Sequence, residues 1–182
     1  MSKGNWKTLS SKIAYKNKWY QVRENKVITP LGEEGLYCVV ESSPIVFIVA
    51  LTDDNQVNLI KLFRYTTQQS SWEVPAGKSE EGEDLLKAAK RELQEETGLQ
   101  ANSWKEIGAF QYASGISSGI SHIFIAKKLV QTDINKKAEE GIEKNKVFSY
   151  KEILKMIRNN KITNGQSIVA LTKVALYLGI IN

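Results

Sequence analysis

The sequence predicts a layered α/β (α+β) fold in which a mixed β-sheet packs between helices. Three observations carry this expectation. Ile45–Leu51 is an unbroken apolar run of strand length, the pattern of a strand buried on both faces. Glu80–Leu99 shows apolar residues at helical spacing. Two further helical segments close the chain, each opened by a hydroxyl residue at a capping position. With 182 residues, the chain can form one domain with a sizeable core and a small N-terminal extension.

Taken in order, residues 13–40 read as a few strands. Val22 and Val27-Ile28 lead into the turn signal Thr29-Pro30-Leu31-Gly32, and Leu36–Val40 resumes strand character. After Pro44 and the run Ile45–Leu51, Thr52-Asp53-Asp54-Asn55 turns the chain and Gln56–Phe63 returns, so these two strands should form a hairpin. Beyond the helix, Ile107–Tyr112 and Ser121–Ala126 look like strands flanking a Gly/Ser loop, and Lys146–Phe148 is a short strand. Ser149 and Glu152 form a capping box for a helix whose apolar positions are Ile153, Leu154 and Ile157. A last helix should begin near Thr163, with Gln166 completing a second capping box. It runs through Ile168, Leu171, Val174, Ala175 and Leu178 to a stop at Gly179.

Composition narrows the chemistry. One cysteine, Cys38, rules out an intramolecular disulfide and a cysteine-based zinc site; within Leu36–Val40 it reads as a small buried hydrophobe. One histidine, His122, sits in a strand-like alternation and reads as structural, which puts His-rich metal sites out of reach. The net charge is +5, with six lysines and Arg23 against Glu24 alone in residues 1–30. No dense basic run is present, which argues against a nucleic-acid partner. The polar start lacks the apolar core of a secretion signal, and Pro44–Leu51 is too short to span a bilayer. The expected location is cytoplasmic, with no membrane partner.

The first helix holds its charges in an odd place. On a wheel of about 100° per residue, Leu85, Leu86, Ala88, Ala89 and Leu93 define an apolar face. Glu92 and Glu96 fall on that same side and Glu95 at its edge, while Lys87, Lys90 and Gln94 lie opposite. Like charges four apart repel by roughly 0.2–0.5 kcal/mol, and acids in a last turn oppose the helix dipole. Carboxylates placed where helix physics disfavours them call for a cation. An all-oxygen donor set selects Mg²⁺ or Mn²⁺ over zinc.

The wider pattern runs from Gly77 through Glu83 to Arg91-Glu92-Leu93-Gln94-Glu95-Glu96-Thr97-Gly98-Leu99. It resembles the Nudix box, with nine fixed positions matched across 23 residues. The resemblance implies a Nudix hydrolase: a loop–helix–loop on a mixed sheet that uses two or more Mg²⁺ (or Mn²⁺) ions to cleave a diphosphate. It implies Glu92 and Glu96 as principal metal ligands, Glu95 as a helper and the Ala76 carbonyl as part of the shell. Arg91 would orient the glutamates, and Glu83 would brace the loop. Gly77 would let the backbone approach the metal, and Gly98 would end the helix.

The flanks resemble one subfamily, the ADP-ribose and nucleoside-diphosphate-sugar pyrophosphatases. Trp72–Lys78, Leu62–Tyr65 and Lys161–Ile168 carry that likeness, which covers about Asn17 to Leu178. It implies substrate contacts from Arg64, whose position meets the diphosphate, and from Glu73. Residues 1–43 would be an N-terminal β-element that helps form a homodimer and covers substrate, with Trp19 placed to stack on the base, and residues 44–182 the Nudix domain. The loop Ala113–Gly119 departs from the pattern, lacking the proline stretch and glutamate common in ADP-ribose enzymes, so another sugar such as mannose or glucose is an alternative. A general base or extra metal ligand is then expected from Glu139–Glu143, with Glu140 first and Glu139 second. The expected reaction converts a nucleoside-diphosphate sugar to a nucleoside monophosphate and a sugar phosphate. Two alternatives stand beside it: hydrolysis of nucleoside triphosphates or dinucleoside polyphosphates, and a non-catalytic nucleotide-sugar sensor.

Overall fold

The computed structural model describes residues 5–134, 136, 139 and 141–181. By contacts, these residues divide into two units: the described residues up to Pro44 together with Gln111–Ile120, and Ile45–Phe110 together with those from Ser121 onward. No helix among the described residues is long and apolar enough to cross a membrane.

The first unit is an antiparallel three-stranded sheet in the order β1 (Lys7–Lys16), β2 (Gln21–Ile28), β3 (Glu34–Glu41). Every residue of β1 is exposed, which explains why its sequence shows no strand-like alternation of apolar residues. Residues 34, 36 and 38 of β3 share an exposed side while Tyr37 and Val39 are half-buried. Cys38 is therefore exposed, not the buried hydrophobe its apolar neighbours suggested. The loop between the last two long strands belongs here. The Val40 amide donates to the Ile116 carbonyl (2.8 Å), and the Val40 carbonyl accepts from the Ser118 amide (3.1 Å) and the Ser117 hydroxyl (3.0 Å).

The second unit is a mixed sheet of β4 (Ile45–Leu51), β5 (Val57–Arg64), β6 (Gln69–Glu73), β7 (Ala76–Lys78), β8 (Leu99–Gln111), β9 (Ile120–Gln131) and β10 (Ile142–Phe148), in the path β10-β5-β4-β9-β8. β4 pairs parallel with β9 and antiparallel with β5 and β7; β6 pairs with β5. Helix α1 (Leu85–Thr97) lies on one face, and α2 (Tyr150–Arg158) and α3 (Gly165–Tyr177) on the other. The alternation of β4 divides the core. Val46, Ile48 and Ala50 pack with Ala88, Ala89 and Leu93 of α1. Phe47, Val49 and Leu51 pack with Ile153 of α2 and Ala170, Leu171 and Val174 of α3. A strand apolar at every position is thus one covered by helices on both sides.

Several boundaries differ from the sequence expectation. Helix α1 starts at Leu85 rather than Glu80, because Gly82 sits at φ +75° and Asp84 takes an extended cap conformation. The β4–β5 hairpin is short, with only Ala50↔Asn58 and Leu51↔Val57 in register, since β7 takes a place beside β4. The cap of α3 is Asn164, whose Oδ1 accepts the Ser167 amide at 2.7 Å; the Thr163 hydroxyl goes instead to Ser71 Oγ at 3.3 Å. The α2 capping box forms with both Ser149 and Glu152 engaged. His122 holds Glu106 through Nδ1 at 2.8 Å, a structural contact between neighbouring strands.

Candidate active site

Helix α1 is fixed at both ends by local chemistry. Asp84 Oδ1 accepts the amides of Leu86 (3.0 Å) and Lys87 (3.1 Å), filling two of the donors that a helix start leaves unpaired. At the other end Gly98, at φ +72°, donates to the Gln94 carbonyl. Between them the apolar stripe is pinned on β4, which carries Glu92 and Glu96 inward. Their relative exposures are 9% and 5%, so both lie on the buried side of the helix, as their spacing predicts.

The glutamates are held by named partners. Glu96 Oε2 accepts the Ala76 amide at 2.8 Å. Glu92 Oε1 accepts from Arg91 Nη1 at 2.7 Å, and Glu95 accepts from Lys136 Nζ (2.5 Å) and more distantly from Arg91 (3.4 Å). Arg91 is the hub. It also donates to both oxygens of Glu83 (3.1 and 3.0 Å) and to the Lys78 carbonyl (2.9 Å). Hydrogen bonding to Glu83, and secondarily to Glu92, drives the Arg91 pKa further upward, so the guanidinium stays charged. In return Arg91 holds the Glu83 carboxyl below its ordinary range. Glu83 further accepts the Glu80 amide at 2.9 Å, which ties the loop before α1 to the same hub.

Gly77 is the tightest point. A Cβ there would fall 2.0 Å from the Glu92 carboxyl group, so only glycine lets the β7 backbone lie against that carboxylate. This close seat and the all-oxygen donor set fit a hard divalent cation. Among the described residues, however, no three His, Cys, Asp or Glu side chains converge on a common centre. The glutamates instead engage Arg91, Lys136 and the Ala76 amide.

Beside this carboxylate helix lies a pocket of about 400 Å³. Arg64, Glu73, Ala76, Gly77 and Lys78 line one part of it, and Thr163, Asn164 and Gln166 another. Arg64 and Glu73 form a bidentate pair, Nε to Oε1 at 3.1 Å and Nη2 to Oε2 at 2.6 Å. Glu73 is only 1% exposed, so it meets the pocket through Arg64. That hydrogen bonding raises the Arg64 pKa against the opposing effect of burial, with a smaller push from Glu96.

Trp19 belongs to the N-terminal unit, in the β1–β2 turn, 60% exposed and with Lys18 Nζ 4.3 Å from its ring. Glu140 lies outside the described residues; Glu139 is in a turn near Lys136. Glu143 of the same segment is committed to Lys61 (2.9 Å) and Ser70 (2.5 Å). Sequence reasoning missed Thr66, Thr67 and the start of α3 as pocket walls. The capping pattern and the subfamily likeness of Lys161–Ile168 drew notice to Thr163 and Gln166, but neither shows which way a helix start faces.

Carboxylates seated beside fixed cations suit the handling of phosphate groups, which demand charge neutralisation. Comparison with known proteins gives that class a family. Residues 42–168 match the NUDIX domain, and the chain belongs to that family. Residues 6–40 match the nucleoside diphosphate sugar hydrolase N-terminal domain. The chain is 27% identical over 172 residues to an ADP-ribose pyrophosphatase of Bacillus subtilis (strain 168), covering 93% of this chain and 92% of that protein. It is 25% identical over 175 residues to the methanol dehydrogenase activator of Bacillus methanolicus, with the same coverage of 93% and 92%. Among solved structures, a crystal structure of an ADP compounds hydrolase shares the fold with a TM-score of 0.85 at 20% identity, covering 98% of this chain and 97% of that one.

Proposed function

We propose that this protein hydrolyses the diphosphate bridge of a nucleoside-diphosphate sugar, releasing a nucleoside monophosphate and a sugar phosphate. The observation that carries the proposal is the buried Glu92–Glu96 pair, Glu92 seated against Gly77 and Glu96 held by the Ala76 amide, beside an arginine-bearing pocket. The family supports the reaction class, and the match of residues 6–40 to the N-terminal domain of nucleoside diphosphate sugar hydrolases supports the substrate class. The relatives named as ADP-ribose pyrophosphatases point the same way.

Nudix hydrolases generally need divalent metal ions. We assign Glu92, Glu95, Glu96 and the Ala76 carbonyl to two or more Mg²⁺ or Mn²⁺ ions. When bound, these ions neutralise the diphosphate and acidify a water. The remaining roles belong to the chain. Arg91, itself braced by Glu83, aligns the glutamates. Glu73 locks Arg64 through Nε and Nη2, which leaves Nη1 for a phosphate oxygen. Water adds to one phosphorus, the P–O–P bridge breaks, and the proton passes to a carboxylate of the 139–143 segment, for which we propose Glu140. The N-terminal sheet is the proposed homodimer element, supported by its exposed Trp6, Leu9, Ile13 and Leu36. The exposed ring of Trp19 is the proposed stacking surface for the base.

The test is product release with Mg²⁺ from ADP-ribose, GDP-mannose, UDP-glucose, a dinucleoside polyphosphate and nucleoside triphosphates. Turnover of diphosphate sugars supports the proposal. Turnover of triphosphates alone overturns the substrate class, and binding without turnover indicates a sensor. Glu96→Gln is expected to lower turnover at least about hundredfold with the melting curve little changed; near-normal activity would remove Glu96 from the metal site.

A further inference from the structure

The pocket beside the carboxylate helix is chemically two-sided. Arg64 and Lys78 are its cations. Its only acid among the described residues, Glu73, has both oxygens engaged by Arg64. The rest of its polar lining is uncharged: Thr66 and Thr67 in the turn after β5, Ser71 in β6, and Thr163, Asn164 and Gln166 at the start of α3.

Most of these uncharged groups are committed. Asn164 caps α3, Ser71 and Thr163 bond one another, and the Thr67 hydroxyl reaches the Arg64 carbonyl at 3.5 Å. Two side chains, the Gln166 amide and the Thr66 hydroxyl, have no hydrogen-bond partner among the described residues. Gln166 is half-buried and stands on a fixed support. The Val74 amide donates to Ser167 Oγ (3.2 Å), the Thr163 amide to Ser71 Oγ (3.3 Å), and the Trp72 amide to the Lys161 carbonyl (3.4 Å). A carboxamide carries two N–H donors and one carbonyl acceptor, and a hydroxyl carries one donor and two lone pairs. Together they match neighbouring hydroxyls, each of which donates and accepts. A nucleobase fits this wall less well. Bases bind by stacking on an open ring, and among the described residues the one aromatic side chain lining the pocket, Phe47, is only 4% exposed.

We infer that the α3 end of this pocket is a sugar subsite, in which Gln166 and Thr66 hydrogen-bond the hydroxyls of the substrate's non-nucleoside half while Arg64 and Lys78 face its phosphates. The inference rests on the proposed hydrolysis of nucleoside-diphosphate sugars and adds the residues that read the sugar. The hydrogen bonds that hold the backbone around Gln166 limit the ordering lost on binding.

The experiment compares two substrates with one leaving chemistry. One is the best diphosphate sugar of the panel; the other is the same nucleoside diphosphate carrying a methyl ester in place of the sugar. The readout is the ratio of their kcat/KM values. Gln166→Ala is expected to lower the sugar-to-methyl ratio about tenfold, chiefly through KM of the sugar substrate, in line with the loss of one or two neutral hydrogen bonds. Thr66→Val, at an exposed turn position, is expected to lower it by a smaller factor. Thermal melting of both variants separates a folding defect from a binding one. An unchanged ratio in both variants overturns the subsite while leaving the hydrolase standing. Failure of the wild-type protein to cleave any diphosphate sugar overturns the proposed function and the subsite with it.

Discussion

At the residue scale, the site depends on how closely groups are packed as much as on which groups they are. Gly77→Ala would drive a methyl group into the Glu92 carboxyl. The obstructed atoms are the far end of a flexible side chain, so the fold is expected to survive with a small change in melting temperature. Turnover is expected to fall about a hundredfold because Glu92 must leave its seat; an alanine variant with normal turnover would show that this seat is unimportant. The Glu83–Arg91 pair makes a pH prediction. Its folded carboxyl titrates below the ordinary value of 4.5, so the unfolded chain takes up the proton first as pH falls. The stabilisation is therefore full above that value and is lost as pH drops through the folded pKa. The stability gap between wild type and Glu83→Gln should be widest near neutrality and close below pH 4.5; an equal gap at both ends would contradict it. The carboxylate set was legible because its residue types and spacing are local along one helix. The Arg64–Glu73 lock was not, because it joins residues nine apart that meet only when β5 pairs with β6.

At the element scale, α1 is both a core component and the carrier of the glutamates. Asp84→Ala removes the acceptor for two amides at its start and is expected to cost about 1 kcal/mol, a fall in melting temperature of about 2–4 °C for a chain of this size. A variant that melts with the wild type would show that water replaces the cap. Strand β4 and the capping box of α2 were readable directly, since a doubly buried strand and a capped helix leave signatures in consecutive residues. The short strands β6 and β7 leave none: they exist because β5 and β4 offer them edges. The early part of the expected first helix failed for a local reason, the positive φ of Gly82.

At the scale of the whole molecule, the N-terminal sheet is the part whose purpose is least evident from the chain itself. Its first strand is exposed throughout, and Trp6, Leu9, Ile13 and Leu36 are among the unit's large apolar side chains that face solvent. Deleting residues 1–43 is expected to yield a monomer by light scattering and to raise KM for the diphosphate sugar. A truncated dimer with unchanged KM would count against the proposed role of this sheet. The layered core was legible from patterning, because the helices and β4 of the second unit declare their buried faces. The inclusion of Gln111–Ile120 in the first unit was not, because the bonds to Val40 link it to Ile116, Ser117 and Ser118, far along the sequence.

Those bonds bear on how such a chain can be rearranged. The Val40 peptide and the Ile116–Ser118 segment complete one another, so a junction at Pro44 does not separate one module from the next. Swapping the N-terminal sheet for that of a relative would strand the host's own loop against a foreign edge. Such a graft succeeds only as a two-part transplant, and for the same reason descent should carry both segments as a single heritable pair.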